Sequence, residues 1–379
     1  MIKRNILLIT PFFRPNIGGV ESALDTFCDV LSKDRKIFVV TYSPLTTKVK
    51  KYKLYEQNDN LYIYRIPWLG FNIFPKVENK QILAFLYLTP ILFIGSFIFT
   101  LIRYRDIGII DCRGLNCAFI GFLLKKIFNK KTVVTLHSIY GFETSLFTKI
   151  VAAILKSFNL VLTTTSPSFN EVKKLGVSQC QKYSYWVDEK IFSPTTKEKA
   201  KEKIKIANRF TILFVGRLLV KKGVLDLIEA VERIKTPINL IIVGTGDLKE
   251  EIIIKTKKNN QIKFMGGILN SELPIYYSAA DLTIIPSNYE ELFGRVIIES
   301  LACGTPVIGT NVGGISEVLS PEVGLLIDPG SHNIYTAIIK LRDDKTLLEE
   351  MTQKSRKYIM ENFSKKNILH IGDMYDGVE

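Results

Sequence analysis

The sequence is poor in the residues that hold metals or form disulfide bridges. Its 379 residues include three histidines and five cysteines. No two cysteines form a Cys-x-x-Cys pair, so neither a structural zinc site nor a disulfide framework is indicated. We therefore expect the five cysteines to be buried thiols in a reducing compartment.

We expect neither a signal peptide nor a nucleic-acid-binding module. Lys3 and Arg4 lead directly into an apolar strand, so we do not interpret the N-terminus as a signal peptide, and we expect a cytoplasmic protein. Lysine and arginine outnumber aspartate and glutamate by 51 to 37, a net charge of +14. These cations are dispersed and no recognition motif accompanies them, so we expect no nucleic-acid binding.

Apolar strands and amphipathic helices alternate along the chain, a pattern that predicts parallel α/β sheets. At 379 residues and 47% hydrophobic content, the chain is long enough for two domains with full cores. We predict domains at 1–190 and 191–357, joined through the polar, lysine-rich stretch 192–210. The strands of the first sheet are predicted at 5–10, 36–42, 107–113, 132–137 and 160–165, and those of the second at 210–216, 239–244, 261–266, 282–287 and 306–310.

Two glutamates eight positions apart stand in the run 286–310. Glu291 lies in a polar loop, Glu299 lies within a predicted helix, and Gly294 is where that helix would begin. A helix N-terminus offers free backbone N–H groups that suit a phosphate, and a carboxylate can accept hydrogen bonds from sugar hydroxyls. Eight helical residues cover roughly 12 Å, close to the length of a diphosphate with a sugar. The run favours a nucleotide-sugar site, although glutamates on a solvated helix face are also common.

A second candidate segment, 212–231, is an apolar strand followed by a basic loop and an amphipathic helix. Arg217 and Lys222 could form a clamp for a diphosphate near the start of that helix. Gly216 and Gly223 would let the backbone approach closely. The alternative is an ordinary strand–turn–helix with surface cations.

The strand at 239–244 ends in Gly244-Thr-Gly246. This is not a dinucleotide-binding fingerprint, because Lys249 stands where the third glycine would be. We interpret it as a tight turn at the carboxyl end of a strand, facing a ligand crevice.

His137 follows the apolar strand at 132–137, at an end where open α/β sheets bind ligands. The other histidines are His332 and His370. A lone histidine is more often structural, so the residues alone leave the role of His137 open.

Ten segments, taken together and in this order, resemble the retaining glycosyltransferases of family four, also described as glycosyl transferases group 1. The resemblance covers nearly the whole chain and implies the GT-B architecture, in which two Rossmann-like domains face each other across a cleft. It also implies that the last helix, 358–379, packs back on the first domain. The segments are PFFRPNIGGVES (11–22), TLHS (135–138), SPSFNEVKKLGV (166–177), VDEKIFSP (187–194), VGRLLVKKG (215–223), VGTGDL (243–248), ADLTIIPS (280–287), the glutamate run, NVGGISEVL (311–319) and GLLIDPG (324–330).

The resemblance also implies roles for individual residues. Arg217 and Lys222 would bind the donor diphosphate, Glu291 would face the transferred sugar, and Glu299 would bind the ribose. Further implied donor contacts are the backbone of Phe293, Gly294 and Arg295, the turns at Gly216 and Gly244, and the Gly18–Gly19 loop of the first domain. His137 would lie near the sugar, where it would form a hydrogen bond or stabilise charge.

The activity implied is retaining transfer of a hexose from a UDP- or GDP-sugar to a hydroxyl of a lipid-linked or polysaccharide glycan. The leaving diphosphate would carry the developing charge, so cations and helix dipoles should dominate its stabilisation. No Asp-x-Asp motif is present, so we expect neither a metal nor another cofactor. Two alternatives stay open: a non-catalytic nucleotide-sugar or glycan-binding homologue, and a GT-B epimerase.

The segment 81–102 is 22 residues long, carries no charge, and is flanked by Lys80 and by Arg103 and Arg105. Its length would suit a membrane span, but a span would put strands of one sheet on opposite sides of the bilayer. Two interpretations follow: a buried helix kinked at Pro90, or an exposed apolar face that dips into a membrane. The net charge favours the second, with peripheral attachment to an anionic inner membrane face.

Overall fold

The structure is a computed structural model, and it describes residues 3–16, 18–46, 51–68, 72–77, 80–137, 141, 146–291 and 293–378. Ser138, Ile17 and Leu292, which belong to predicted motifs, lie outside the described residues. All five cysteines are buried free thiols, as expected from their spacing. The chain forms two compact units, residues 1–184 with 366–379, and residues 185–365.

The N-terminal unit is built on one sheet of eight strands within its described residues, in the order β3-β4-β2-β1-β5-β6-β7-β8. All neighbours are parallel except β3 and β4, which form an antiparallel pair. The central strands are apolar and fully buried because helices cover both faces of the sheet. The strands are β1 (Ile6–Ile9), β2 (Ile37–Tyr42), β3 (Tyr55–Asn58), β4 (Leu61–Ile66), β5 (Ile109–Arg113), β6 (Lys131–Thr135), β7 (Leu160–Thr163) and β8 (Cys180–Lys182).

Two helical layers cover this sheet. Three helices that cross over between successive parallel strands contact one another in chain order: α3 contacts α4, and α4 contacts α5. The first helix instead contacts the C-terminal helix, Lys366–Asp376. The helices of this unit before residue 184 are α1 (Gly19–Leu31), α2 (Phe74–Val77), α3 (Gln81–Ile102), α4 (Leu115–Phe128), α5 (Leu146–Ser157) and α6 (Ser166–Lys174).

The C-terminal unit contains a second sheet of six parallel strands within its described residues, in the order β11-β10-β9-β12-β13-β14. Its core is formed by apolar strands and by the inner faces of the helices around them. The strands are β9 (Phe210–Val215), β10 (Ile238–Val243), β11 (Ile262–Gly266), β12 (Leu282–Ile285), β13 (Val307–Thr310) and β14 (Gly324–Ile327). The helices are α7 (Lys197–Lys203), α8 (Val224–Glu232), α9 (Lys249–Lys258), α10 (Leu273–Ala279), α11 (Arg295–Ala302), α12 (Ile315–Val318), α13 (Ser331–Asp343) and α14 (Lys345–Asn362).

The division between the units differs from the predicted boundary at 190. Tyr185 already belongs to the C-terminal unit, where its ring stacks on Phe293 at a centroid distance of 4.9 Å. The amide of Val187 donates to the carbonyl of Phe363 at 2.9 Å. The chain therefore returns to the N-terminal unit at residue 366, later than the predicted position 358, because the last turns of α14 are held in the C-terminal unit.

The prediction of an interdomain join within 192–210 is wrong. Part of this stretch is α7, which packs against α10 within the C-terminal unit. Lys197 forms an ion pair with Asp281 at 2.6 Å, and the buried ammonium group of Lys201 donates to the carbonyl of Arg209 at 2.7 Å. The lysine-rich composition indicated a solvated linker, but two of these lysines are used to attach α7 to the sheet.

Candidate donor-binding site

The carboxyl ends of β9 and β12 define the candidate site. The two strands are neighbours, and the chain runs from β9 outward to β10 on one side and from β12 outward to β13 on the other. Such a reversal of direction opens a crevice at the carboxyl ends of the strands, where open α/β sheets bind ligands. The loops that follow these strands, 216–223 and 286–294, contain most of the predicted donor-binding residues.

Glycine is required where these loops approach each other. Gly223 has a φ of +69°, and a Cβ atom built on it would lie 1.8 Å from the carbonyl oxygen of Pro286. Gly244 has a φ of +149°, and its Cβ would lie 1.8 Å from the oxygen of Gly216. At Gly216 an added Cβ would only touch the Phe214 ring at 3.4 Å. The loop backbones thus approach each other closely at Gly223 and at the turn after β10, whereas Gly216 itself has room for a side chain.

Lys222 and Glu291 form an ion pair across the crevice. The Nζ atom of Lys222 lies 2.8 Å from Oε1 of Glu291, and the two side chains are 19% and 11% exposed. Ser287 donates its hydroxyl to the same carboxylate oxygen. The ring of Tyr289 lies under Lys222 Nζ at 5.1 Å and under Lys221 Nζ at 4.5 Å. A cation and a carboxylate are therefore held side by side at the strand ends.

The charge of Lys222 is maintained despite its burial. Burial alone would lower its pKa, but the charge and hydrogen bond of Glu291, with help from Tyr289, outweigh that effect and raise it. Lys222 is therefore a permanent cation at physiological pH, as a ligand for a diphosphate must be.

The main chain at Glu291 is fixed by the loop after β13. The amide of Gly314 donates to the Glu291 carbonyl at 2.6 Å. Gly313 has a φ of +56°, and a Cβ atom there would lie 2.5 Å from the same oxygen. The side chain of Thr310 donates to the carbonyl of Ser287 at 2.7 Å. The NVGG sequence thus acts as a brace for Glu291.

Helix α11 begins directly after this loop, with Gly294 at its N-cap in the left-handed region at a φ of +66°. Its eight residues run from Arg295 to Ala302, and no side chain caps the N-terminus, so its first amides point outward without a side-chain partner. Phe293 lies buried next to the cap, between Tyr185 and Phe363. This arrangement gives the predicted backbone donors at 293–295 a fixed position.

Glu299 occupies a buried site one helical turn further along α11. Its Oε2 atom accepts a hydrogen bond from the hydroxyl of Tyr277 at 2.9 Å, and its Oε1 atom lies 3.2 Å from Arg295. Burial raises the pKa of the Glu299 carboxyl, against the opposing effects of Arg295 and Tyr277. Both oxygens already have protein partners, so a ribose hydroxyl would share an acceptor that the protein has positioned.

The remaining predicted residues lie at other strand ends. Arg217 is exposed two positions after β9. In the N-terminal unit, Gly18 and Gly19 form the start of α1 after β1, and Glu21 is the acid of its first helical turn. His137 follows β6, and burial with the charge of Arg113 lowers its pKa to about 3. His137 is therefore neutral at pH 7, which favours hydrogen bonding over charge stabilisation as its role.

Three site residues were not found by sequence reasoning: Ser287, Tyr289 and Tyr277. Ser287 and Tyr289 stand four and two positions before Glu291, so a polar residue directly after an apolar strand was an available signal. Tyr277 comes from α10, and nothing in the sequence links it to Glu299. Among the described residues, no three histidine, cysteine, aspartate or glutamate side chains come together in an arrangement that could hold a metal.

Comparison with protein families places this site in a known context. Residues 196–358, which contain the loops described above, match the family described as glycosyl transferases group 1. Two proteins of Methanocaldococcus jannaschii, both described as uncharacterised glycosyltransferases, are similar to the chain. MJ1607 is 34% identical over 41% of this chain and 42% of its own length, and MJ1069 is 27% identical over 97% of this chain and 96% of its own.

Solved structures extend the likeness to the fold of the whole chain. Sucrose-phosphate synthase from Thermosynechococcus elongatus superposes with a TM-score of 0.81, at 21% identity over 99% of this chain and 98% of that one. Anabaena Alr3699/HepE, solved with UDP-glucose, gives a TM-score of 0.78 at 19% identity over 98% of both chains. The segment 196–358 is therefore similar to the group 1 glycosyltransferases, and the whole chain has the GT-B type of fold, with two α/β units that are each built on a largely parallel sheet.

Proposed function

We propose that this protein is a retaining hexosyltransferase that uses a UDP- or GDP-sugar and needs no metal. The observation that carries the proposal is the Lys222–Glu291 pair, 2.8 Å apart at the switch point between β9 and β12. It lies in the same loop region as the N-terminus of α11. Together they match two parts of the donor: the cation and the helix N-terminus suit the diphosphate, and the carboxylate suits the hydroxyls of the sugar.

The geometry suggests how the donor would enter. Glu291 neutralises Lys222 in the structure, so each compensates the largely buried charge of the other. A diphosphate would bring its own negative charge to Lys222 and Arg217, and the Glu291 carboxylate would then be available to sugar hydroxyls. When the glycosyl bond breaks, the charge that develops on the diphosphate meets cations and helix N–H groups already in place. The diphosphate oxygen can accept the proton of the acceptor hydroxyl.

The acceptor in this proposal is a hydroxyl of a lipid-linked or polysaccharide glycan, bound by the N-terminal unit. His137, neutral at pH 7, would donate or accept a hydrogen bond near the sugar. This is supported by the position of His137 directly after the carboxyl end of β6. That strand belongs to the same sheet as β1, which is followed by the Gly18–Gly19 loop.

Replacement of Lys222 tests the donor clamp. Lys222→Ala should remove the stabilisation by UDP, GDP or their sugars in a thermal-shift assay, and should reduce transfer by about 100-fold or more. Lys221→Ala is the matched control, because Lys221 is exposed in the same loop and its Nζ atom lies 4.5 Å from the centre of the same Tyr289 ring. Full activity of Lys222→Ala, or an equal loss in both variants, would refute the clamp.

Three further measurements test the rest of the proposal. NMR of the product should show that the anomeric configuration of the donor is kept. Activity should persist in the presence of EDTA. Free nucleotide should be released only when an acceptor is present; an inverted sugar formed without acceptor would instead identify an epimerase.

A further inference from the structure

The outer face of α3 carries a continuous stripe of exposed apolar side chains. Leu86, Pro90, Ile94 and Ile98 follow one another at intervals of four, so they lie on the same side of the helix. The 22 residues of α3 form a helix about 33 Å long, which is about the diameter of a small domain. The exposed fractions range from 46% at Leu83 to 74% at Ile82, and the exposed large side chains are Ile82, Leu83, Leu86, Ile94, Ile98, Leu101 and Ile102.

The inner face of α3 is fixed to the sheet. Leu88 and Leu92 are buried in the core, and the hydroxyl of Tyr42 donates to the carbonyl of Leu88 at 2.6 Å. The strands before and after α3, β4 and β5, belong to one sheet. Within the described residues, α3 is the one helix long and apolar enough to cross a membrane, and 28% of it is buried. The helix continues through Pro90. Because the strands before and after α3 belong to the same sheet, α3 can lie on a bilayer but cannot cross it.

The stripe is extended by the neighbouring helices of the same layer. At the start of α5, Leu146, Phe147 and Ile150 are 75%, 58% and 50% exposed. Ile127, at the end of α4, is 54% exposed. We call these residues, with the exposed stripe of α3, the docking face. An apolar surface of this extent on a soluble unit indicates an interaction site.

Positive charge surrounds the docking face. Between Lys80 and Lys156 the sequence has ten lysines and arginines but three aspartates and glutamates. Of these acids, Asp111 is buried against Arg113, Asp106 is paired with Arg103 at 3.3 Å, and Glu143 lies outside the described residues. The exposed cations near the helix ends are Lys80, Arg103, Arg105, Lys126, Lys149 and Lys156.

We propose that the docking face binds the surface of an anionic phospholipid bilayer, with α3 lying in the interface. Apolar side chains would enter the acyl boundary and the surrounding cations would meet lipid phosphates, the combination that holds amphipathic helices at membranes. A symmetric contact with a second copy would instead bring cations against cations. The proposal adds to the proposed function, since a lipid-linked acceptor would lie in the same interface, but the binding itself needs neither donor nor acceptor.

Flotation with vesicles tests the proposal on the full chain without substrates. The protein should float with vesicles of equal parts phosphatidylglycerol and phosphatidylcholine, and much less with phosphatidylcholine alone or at high salt. The double substitution Ile94→Glu with Ile98→Glu should weaken binding by about 100-fold, and Lys126→Glu or Lys149→Glu by about fivefold each. The matched control is Leu369→Glu, because Leu369 is 49% exposed on the C-terminal helix, in the other helical layer; it should bind as the unchanged protein does.

Stability and nucleotide binding separate this proposal from the previous one. Each variant should keep its melting temperature and its thermal shift with UDP or GDP, so a loss of flotation alone supports the docking face. If the double variant melts early, Leu86→Glu with Leu101→Glu takes its place on the same stripe. Equal flotation of all variants, or no flotation of the unchanged protein, would overturn the proposal. So would a change from dimer to monomer in the double variant without any vesicle binding, which would identify a second copy as the partner.

Discussion

The two units of this protein bury charge in different places. In the N-terminal unit, buried charges join segments that are far apart in the sequence. Asp111 accepts hydrogen bonds from Arg113 Nε and from the Tyr375 hydroxyl, both at 2.9 Å. Arg35 donates twice to Asp376, at 2.9 and 3.0 Å, and these two side chains are 3% and 4% exposed. These pairs attach the C-terminal helix to a sheet whose first strands lie more than 300 residues earlier in the chain.

In the C-terminal unit, the comparable pair is placed where strands end. Lys222 and Glu291 are mostly buried but keep some access to solvent, and each follows a strand next to the switch point of the sheet. The difference teaches that burial of an ion pair is not by itself a sign of function. The two partners of a fold-closing pair such as Arg35 and Asp376 stay together as long as the protein is folded. At the strand ends, by contrast, a phosphate could replace the Glu291 carboxylate as the partner of Lys222.

The largest effect on stability is expected from the fold-closing pair. Asp376→Ala removes the carboxylate that accepts two hydrogen bonds from the buried Arg35 and leaves Arg35 with its ion pair to Asp34, so the free energy of unfolding should fall by about 3 kcal/mol. Urea denaturation measures this loss. Asp373→Ala, at an exposed position on the same helix, should change stability by less than about 0.5 kcal/mol. If both variants lost the same small amount, the pair would not hold the helix.

The corresponding substitution in the C-terminal unit should act on catalysis. Glu291→Gln keeps the size of the side chain and a hydrogen-bond acceptor for Ser287 but removes the charge opposite Lys222. We expect kcat/KM to fall by about 100- to 1,000-fold, with little change in melting temperature. Glu290→Gln, its exposed neighbour, should retain activity. A Glu291→Gln enzyme that unfolds and keeps its rate per folded molecule would place this pair with the structural ones.

Two glycines at the site allow a finer test of the same comparison. Gly223→Ala combines a left-handed φ with a clash against the carbonyl of Pro286, so it should destabilise the C-terminal unit by at least about 2 kcal/mol. Gly216→Ala has room at 3.4 Å and should be nearly neutral for stability. Thermal unfolding of both variants, with and without UDP, is the measurement. Similar melting temperatures would show that the loop after β9 can move aside.

The last test concerns His137 and pH. Its folded-state pKa, about 3, is below the ordinary value of 6.5, so the unfolded chain binds the extra proton first. The stability that depends on a neutral imidazole is therefore fully present above pH 6.5, and it is lost as the pH falls toward 3. We expect the difference in melting temperature between the unchanged protein and His137→Gln to shift against the unchanged protein between pH 7 and 4. A difference that stays constant over that range would contradict the buried neutral state.

The sequence allowed much of the fold to be predicted, because the central strands are apolar on both faces. All ten predicted strands are present, with ends shifted by up to two residues. The strands that were missed are β3, β4, β8 and β14. β3 is mostly exposed, β4 alternates between buried and half-buried residues, and β8 has three residues, so none of the three is a continuous apolar run. Strands of this kind depend on the neighbours to which they pair, and sequence alone does not reveal those neighbours.

The site was less predictable than the strands that support it. Lys222 and Glu291 were found because each follows an apolar strand in a recognisable motif, but their contact joins positions 69 residues apart. Tyr277 was missed because its partner, Glu299, lies on another helix. The two faces of α3 could not be separated either, because inner and outer residues are equally apolar; the sheet determines which side is covered.

Gly313 sets the position of Glu291 from a different loop. The main chain of Glu291 lies against the Cα of Gly313 at a distance that excludes a methyl group. A larger residue at this position is expected to move the carboxylate and to leave Lys222 in its own loop. Under the proposed function, a library at 311–314 should therefore change sugar preference and leave nucleotide affinity the same.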